Sequence, residues 1–342
     1  MAQFQVSVVF GGLGFIGSHF ARYLLTNKLA DILYLADFAP LNVSIWPIEL
    51  QEAYKRGQVR YIQLDVRQPI PAAELPSHAE LVANFAAVHR EPGHKPHEYF
   101  TTNLLGAEHV CAWAEQVNCP QIVFTSSIAP YGPTEEAKEE TAIPVPVSPY
   151  GASKLAAEKI HIAWQRGGQN RQLTIVRPGV VFGAGEGGNV TRLIRSVLGR
   201  YFFYMGNKHT RKAGGYVKEL CHALFWVMEK QHEQKNGVRL FNFTMNPAPT
   251  VQEYVETVCK VAGVQRFVPA VPYAFLLGAS YLIEGLSRPL GIHQPISPVR
   301  IRKVVRSNNI IPGYLRDAGY PYRYTLEEAL ADWYKERPED WR

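Results

Sequence analysis

The feature that most constrains this chain is a glycine-spaced turn set between an apolar run and a helical one. Residues 5–10 (Gln-Val-Ser-Val-Val-Phe) read as a buried strand. Gly11-Gly12-Leu13-Gly14-Phe15-Ile16-Gly17 follows at once, and Phe20, Leu24 and Leu25 then continue an apolar helical run. The glycines fit two registers, Gly11/Gly14/Gly17 and Gly12/Gly14/Gly17. In either, a Cβ at Gly14 would keep the backbone away from a pyrophosphate, and one at Gly17 would push the helix off the strand. The phosphates would sit on the helix N-terminus, opened by Phe15 and Ile16, where free N–H groups favour anions. A second strand, 31–36, runs into Asp37, twenty residues beyond Gly17. An acid there accepts hydrogen bonds from the adenosine ribose hydroxyls of NAD. It would repel the 2′-phosphate of NADP, and no Lys or Arg lies between Asp37 and Lys55 to hold such a phosphate.

The alternation continues. Strands are expected at 59–64, ending in Asp65-Val66, and at 81–85, ending in Ala86-Ala87. A strand at 121–125 delivers Ser126-Ser127, and one at 172–176 ends in Arg177-Pro178-Gly179. Helical runs fall between them at 46–54 and at 97–117, the second carrying Asn103. Strand–helix alternation predicts an α/β, Rossmann-like doubly wound parallel sheet, with ligands at the carboxyl ends of the strands. Small side chains at Ala86 and Ala87 would let a dinucleotide pass close. At 342 residues the chain is long enough for more than one domain. We expect an NAD-binding domain over 1–180 and a smaller, mixed α/β substrate-binding domain over most of 181–342, with a strand near 238–244 returning to the first sheet.

The chemistry points to Ser148-Pro149-Tyr150-Gly151-Ala152-Ser153-Lys154. Ser148 suits an N-cap and Pro149 a first helical position. Tyr150 and Lys154 then lie four apart on one helix face. A neighbouring ammonium favours the phenolate, so the pair could move a proton on and off a substrate hydroxyl. A serine hydroxyl from the 121–125 strand end could hydrogen-bond the same oxygen.

Taken together, these motifs resemble the extended short-chain dehydrogenase/reductase superfamily, and within it the NAD-dependent epimerase/dehydratase family. The resemblance is specific from Val6 to about Gly183 and looser beyond. It implies Tyr150 as catalytic acid/base, Lys154 as its partner and a ligand of the nicotinamide ribose, and Ser127 rather than Ser126 as the third member. It also implies that Asp65 and Val66 face the adenine, Ala86 and Ala87 the cofactor, and Pro178 the nicotinamide, with Asn103 supporting the site. Phe10 departs from the Thr usual before the glycines and should change packing under the loop more than chemistry. The dehydratases carry Thr-Asp-Glu where this chain has Ser127-Ile128-Ala129, and the related decarboxylases carry a Glu there, so neither water loss nor decarboxylation is expected. What remains is 4-epimerisation of a nucleotide sugar, or net reduction or oxidation of a keto-sugar or 3β-hydroxysteroid-like alcohol. A cofactor-binding regulator is the non-enzymatic alternative. Asn189, in the glycine-rich loop at 182–190, and Arg211 match segments that contact the substrate diphosphate in nucleotide-sugar members. Glu219 stands where that branch has an Asp. Members commonly pair through the helices here at 97–117 and 149–166, so a homodimer is expected.

Composition narrows the rest. Hydrophobic residues make up 46% and charged residues 19%, as in a globular chain. The net charge of +6 suits an anionic small ligand, but the basic residues are dispersed, which argues against nucleic acid. Cys111, Cys119, Cys221 and Cys259 show neither metal nor disulfide spacing, so no metal site and a reducing, cytoplasmic setting are expected. The N-terminus shows no signal peptide. The apolar segment 267–283 contains Pro269 and Pro272 and falls short of the about 20 residues a spanning helix needs. It is expected to be a buried or partner-facing helix, with peripheral membrane contact as the alternative. The later order, an apolar helix and then a basic run with Arg300, Arg302, Lys303 and Arg306, is similar to the steroid-dehydrogenase-like branch.

Overall fold

The computed structural model describes residues 4–71, 73–91, 93–235, 237–287 and 308–342. Along the chain these form β1 (Phe4–Phe10), α1 (Phe15–Thr26), β2 (Ala30–Asp37), α2 (Ile48–Lys55), β3 (Val59–Gln63), β4 (Leu81–Asn84), α3 (Pro96–Gln116) and β5 (Gln121–Thr125). Then come β6 (Thr134–Lys138), α4 (Pro149–Arg166), β7 (Gln172–Pro178), β8 (Val180–Phe182), α5 (Asn189–Leu198), β9 (Tyr204–Met205), β10 (Gly214–Tyr216) and α6 (Val217–Glu233). The remainder is β11 (Val238–Phe243), α7 (Val251–Val261), β12 (Ala270–Val271), α8 (Tyr273–Ser287), β13 (Asn308–Ile310), α9 (Gly313–Asp317) and α10 (Leu326–Glu336).

One seven-stranded sheet runs in the order β11-β7-β5-β4-β1-β2-β3, every pair parallel. Its strands are apolar on both faces because both faces are covered. Alternate residues of β1 show this: Val9 packs with α1, α2 and α6, while Val8 and Phe10 pack with α3 and α4. Phe10 is fully buried, edge-on to Trp113 at 5.7 Å, so it does fill space beneath the turn. Strand order reverses between β1 and β4, which opens a crevice at their carboxyl ends.

A second core gathers Phe182, Ile194, Tyr254, Val258, Leu330 and Trp333 from β8, α5, α7 and α10. The chain crosses between the two cores more than once, for α6 and β11 return to the sheet after residue 180. Side-chain caps open the helices where the sequence offers them: Ser148 Oγ accepts from the Gly151 N–H at 3.2 Å, and Thr250/Glu253 and Thr325/Glu328 form capping boxes. The helix α8 narrows an expectation, leaving the partner-facing and membrane-contact readings of this segment and removing the buried one. It is not buried: Phe267 before it is 93% exposed, and Phe275 within it 69%. It belongs to an excursion between β12 and β13, and the basic run at 300–306 lies outside the described residues.

Candidate active site

The turn after β1 is built as its glycines require. Gly11 has φ +74°, and a Cβ on it would stand 2.7 Å from the Ala86 amide nitrogen. A Cβ on Gly17 would stand 2.1 Å from the Gly11 carbonyl oxygen, so α1 can seat against the turn only through glycine. Gly14 differs. A Cβ there would meet only the Gly11 oxygen, at 3.1 Å, and its other side is open to a ligand. That cradle fits a dinucleotide pyrophosphate. Asp37 ends β2 beside it, where Oδ2 accepts the Leu13 N–H at 3.0 Å and Oδ1 the Ala39 N–H at 3.2 Å. The acid thus fastens the turn as well as offering acceptors for a ribose. Ala86 and Ala87, beyond the end of β4, are half-buried against the same turn.

The structure brings together the three residues of the expected catalytic group. Tyr150, in the first turn of α4, stands near enough to Ser127, beyond the end of β5, for the serine hydroxyl to favour its phenolate, and its ring packs 6.0 Å from that of Tyr99. Lys154, one turn on, is buried; its Nζ donates to the Thr125 carbonyl at 2.8 Å and lies 4.9 Å over the Phe124 ring. The electrostatics correct the expectation from spacing. Burial pushes the Tyr150 phenol up to about 12, against the Ser127 hydroxyl that favours the phenolate. Burial likewise pushes the Lys154 ammonium down to about 7, against the charge of Glu158. Lys154 is turned under β5, where desolvation weakens its charge instead of lending it to the phenol.

Sequence reasoning missed the polar group beneath these residues. Glu158 and Arg177 form a buried ion pair, side chains 2% and 4% exposed, with Nη2–Oε2 at 2.6 Å and Nε–Oε1 at 2.8 Å. Ser126 Oγ donates to the same carboxylate at 2.5 Å, which leaves Ser127 to face Tyr150. The Arg177 guanidinium also lies 4.6 Å over the Tyr131 ring, whose hydroxyl donates to Asn242. This group ties α4, β5, β7 and β11 together directly under the cleft. The signal available was Glu158, four residues past Lys154 on the buried face of the same helix.

Other expected residues play different parts. Asn103 clamps the loop after β4: its Oδ1 accepts the Val88 N–H, and its Nδ2 donates to the Val88 carbonyl and to Ser153 Oγ. It positions the site rather than offering its donors to a ligand. Asp65 is engaged by Arg67 through paired hydrogen bonds, and the Val66 side chain is buried against Gly106 of α3. The Pro178 carbonyl accepts the Ile128 N–H at 3.1 Å, holding the Ser127 loop to β7. Asn189 is exposed, its Oδ1 accepting from Arg192. Exposed Arg211 donates to the Ala248 carbonyl, on the segment that enters β10 beside β8. Glu219 is buried and structural, accepting from Tyr320 and from the Arg323 and Tyr324 amides. All four cysteines are free thiols, and among the described residues no cluster of three or more His, Cys, Asp or Glu could hold a metal.

The model of the NAD dependent epimerase/dehydratase family matches residues 7–242. The chain is 26% identical over 326 residues to the N-acetyl-alpha-D-glucosaminyl-diphospho-ditrans,octacis-undecaprenol 4-epimerase of Escherichia coli O157:H7, covering 94% of this chain and 92% of that one. It is 25% identical to 3beta-hydroxysteroid-dehydrogenase/decarboxylase isoform 1 of Arabidopsis thaliana, covering 94% and 77%. In fold it matches the UDP-glucuronic acid 4-epimerase from Bacillus cereus, solved in complex with NAD, with a TM-score of 0.74 at 17% identity over 99% of this chain and 100% of that one. The glycine cradle, the acid on β2 and the match across both thus agree that this chain belongs to the NAD-dependent epimerase/dehydratase family, as an enzyme whose cofactor is NAD.

Proposed function

We propose that this enzyme is a 4-epimerase of sugars carried on a diphosphate, with Tyr150, Ser127 and Lys154 as its catalytic group. The observation that carries the reading is the juxtaposition of Tyr150 and Ser127 with a buried Lys154 one helical turn on, and only Ile128 and Ala129 beside them where an eliminating site needs carboxylates. The turn at Gly11–Gly17 holds the NAD pyrophosphate, Asp37 the adenosine ribose, and Lys154 the nicotinamide ribose. When bound, NAD supplies a hydride acceptor that later returns the hydride. Tyr150 takes the proton of the sugar 4-hydroxyl as the C4 hydride leaves, and Ser127 holds the oxygen. The keto-sugar turns over, and Tyr150 returns the proton when hydride re-enters from the other face. The raised pKa of the phenol suits this second, donating half; the Ser127 hydroxyl is the group present that favours the first. The second core is the substrate side, with Arg211 and Asn189 as candidates for the diphosphate. The outward faces of α3 and α4, where Phe100 and Leu105 are exposed, are the expected contact between two copies.

The test is denaturing extraction of the purified protein, with the released nucleotide identified by mass. An epimerase has no need to release its cofactor between turnovers, so stoichiometric NAD is expected. Tyr150→Phe should keep that NAD and lose epimerisation by about 10²- to 10⁴-fold. An empty site that binds added NAD weakly would favour a net dehydrogenase, the reading suggested by the steroid-dehydrogenase relative. NADP in the site would refute the role given to Asp37, and an unaffected Tyr150→Phe the role given to the tyrosine.

A further inference from the structure

Between β12 and β13 the chain makes an excursion that the epimerase reading leaves unused. Its described helix, α8, is uncharged from Tyr273 to Ser287 except for Glu284. Phe275 is 69% exposed and Tyr281 50%, and with Gly278 they recur at three-residue spacing on one face. Phe267, 93% exposed, stands just ahead of the helix. Exposed aromatics clustered in this way mark an interaction surface. The sequence on either side is basic. Arg266 precedes the helix, and residues 288–307, outside the described structure, contribute Arg288, Arg300, Arg302, Lys303 and Arg306 and no acid. An apolar helix flanked by cations complements an anionic bilayer surface.

Length decides how such a helix could sit. Fifteen residues span about 22 Å at the usual helical rise, short of the about 30 Å hydrocarbon core. No helix among the described residues is long and apolar enough to cross a membrane. The helix would therefore lie along the surface. Its two ends are tied to segments that neighbour the candidate site residues in the chain. Just before the helix, β12 pairs with β9. On return, Asn308 bridges Lys212, next to Arg211, and β13 pairs with β6, which follows the Ser127 loop.

We propose that α8 seats the enzyme on an anionic lipid bilayer, so that it acts on sugars carried on a polyprenyl diphosphate. The sugar reaches Tyr150 and Ser127 while the isoprenoid chain stays in the membrane. This rests on the epimerase reading, since it names that reaction's carrier.

The test compares the full chain with Phe267→Ser/Phe275→Ser, both positions being exposed and outside the catalytic group. Sedimentation uses vesicles of phosphatidylcholine with and without phosphatidylglycerol. Wild type should bind the anionic vesicles, and the variant at least about tenfold more weakly. With a polyprenyl-diphosphate-linked N-acetylhexosamine in those vesicles, kcat/KM should fall in the variant by a similar factor. With a water-soluble UDP-N-acetylhexosamine, the two proteins should not differ. Wild type left in the supernatant overturns the proposal, as does equal binding by the variant. So does a dimer that the variant alone loses, seen by sedimentation equilibrium without vesicle binding. Failure at the vesicle step with epimerisation intact defeats the membrane contact alone. Vesicle binding without epimerisation of either substrate defeats the reaction, and the substrate class with it.

Discussion

Glu158→Gln keeps the shape of a side chain and removes its charge from beneath the candidate active site. In the native protein the carboxylate receives two hydrogen bonds from Arg177 and one from Ser126, with both members of the ion pair almost wholly buried. The amide has one acceptor oxygen, and in either orientation its NH₂ meets a guanidinium donor, Nε at one position and Nη2 at the other. Breaking a buried pair by removing one partner leaves the other charge uncompensated, at a cost of about 3–5 kcal/mol. Unfolding entropy scales at about 2.1 cal/mol/K per residue, so for 342 residues that loss lowers the midpoint by about 4–7 °C. Scanning calorimetry at neutral pH reads this directly. Removing both charges, as Glu158→Leu with Arg177→Met, should recover much of the loss, because well-packed apolar replacements of a buried pair are often neutral or stabilising. A Glu158→Gln midpoint within about 1 °C of wild type, the expected shift being several-fold larger, would refute the reasoning. So would a double variant no more stable than the single one.

Two other predictions concern the cofactor turn and the acid limb of stability. Gly17→Ala places a methyl 2.1 Å from the Gly11 carbonyl, so backbone must move; the protein should purify without stoichiometric NAD, and nucleotide retained at the wild-type level would count against the geometry of the turn. His161 is fully buried, accepting from Asn84 and donating to the Ala157 carbonyl, and burial pushes it down to about 4. The unfolded chain takes up a proton below about pH 6.5 that the folded chain refuses, so stability rises with pH between about 4 and 6.5. Denaturation midpoints of His161→Gln should flatten over that window, and an unchanged slope would exclude His161 as the cause.

The elements that local pattern announces were legible, and those made by distant partners were not. The seven sheet strands, α3, and α4 with its Ser148 cap all follow from period, turn chemistry and capping, each written within a few residues. For the proposed catalytic group, the neighbouring positions were legible but the electrostatics were not. The four-residue spacing of Tyr150 and Lys154 says they are neighbours, not that Lys154 is turned toward the Thr125 carbonyl and desolvated there. Glu158 and Arg177 look like ordinary surface charges in sequence; they become a buried pair only when α4 lies against β7. The pairing of β6 with β13 joins stretches about 170 residues apart and leaves no local periodicity to read. For α8, apolar composition suggested a buried or partner-facing helix, and only the exposure of Phe275 and Tyr281 tells the two apart.

Asp37 carries two duties on one carboxylate. The oxygen that would choose between NAD and NADP belongs to the same group that fastens Leu13 and Ala39. Exchanging the acid for a residue that welcomes a 2′-phosphate therefore also releases the turn that cradles the pyrophosphate. Cofactor preference and loop architecture are inherited as a unit here. A lineage, or an engineer, could switch nucleotides only by supplying a new acceptor for the Leu13 amide in the same step, a double change that single substitutions do not reach.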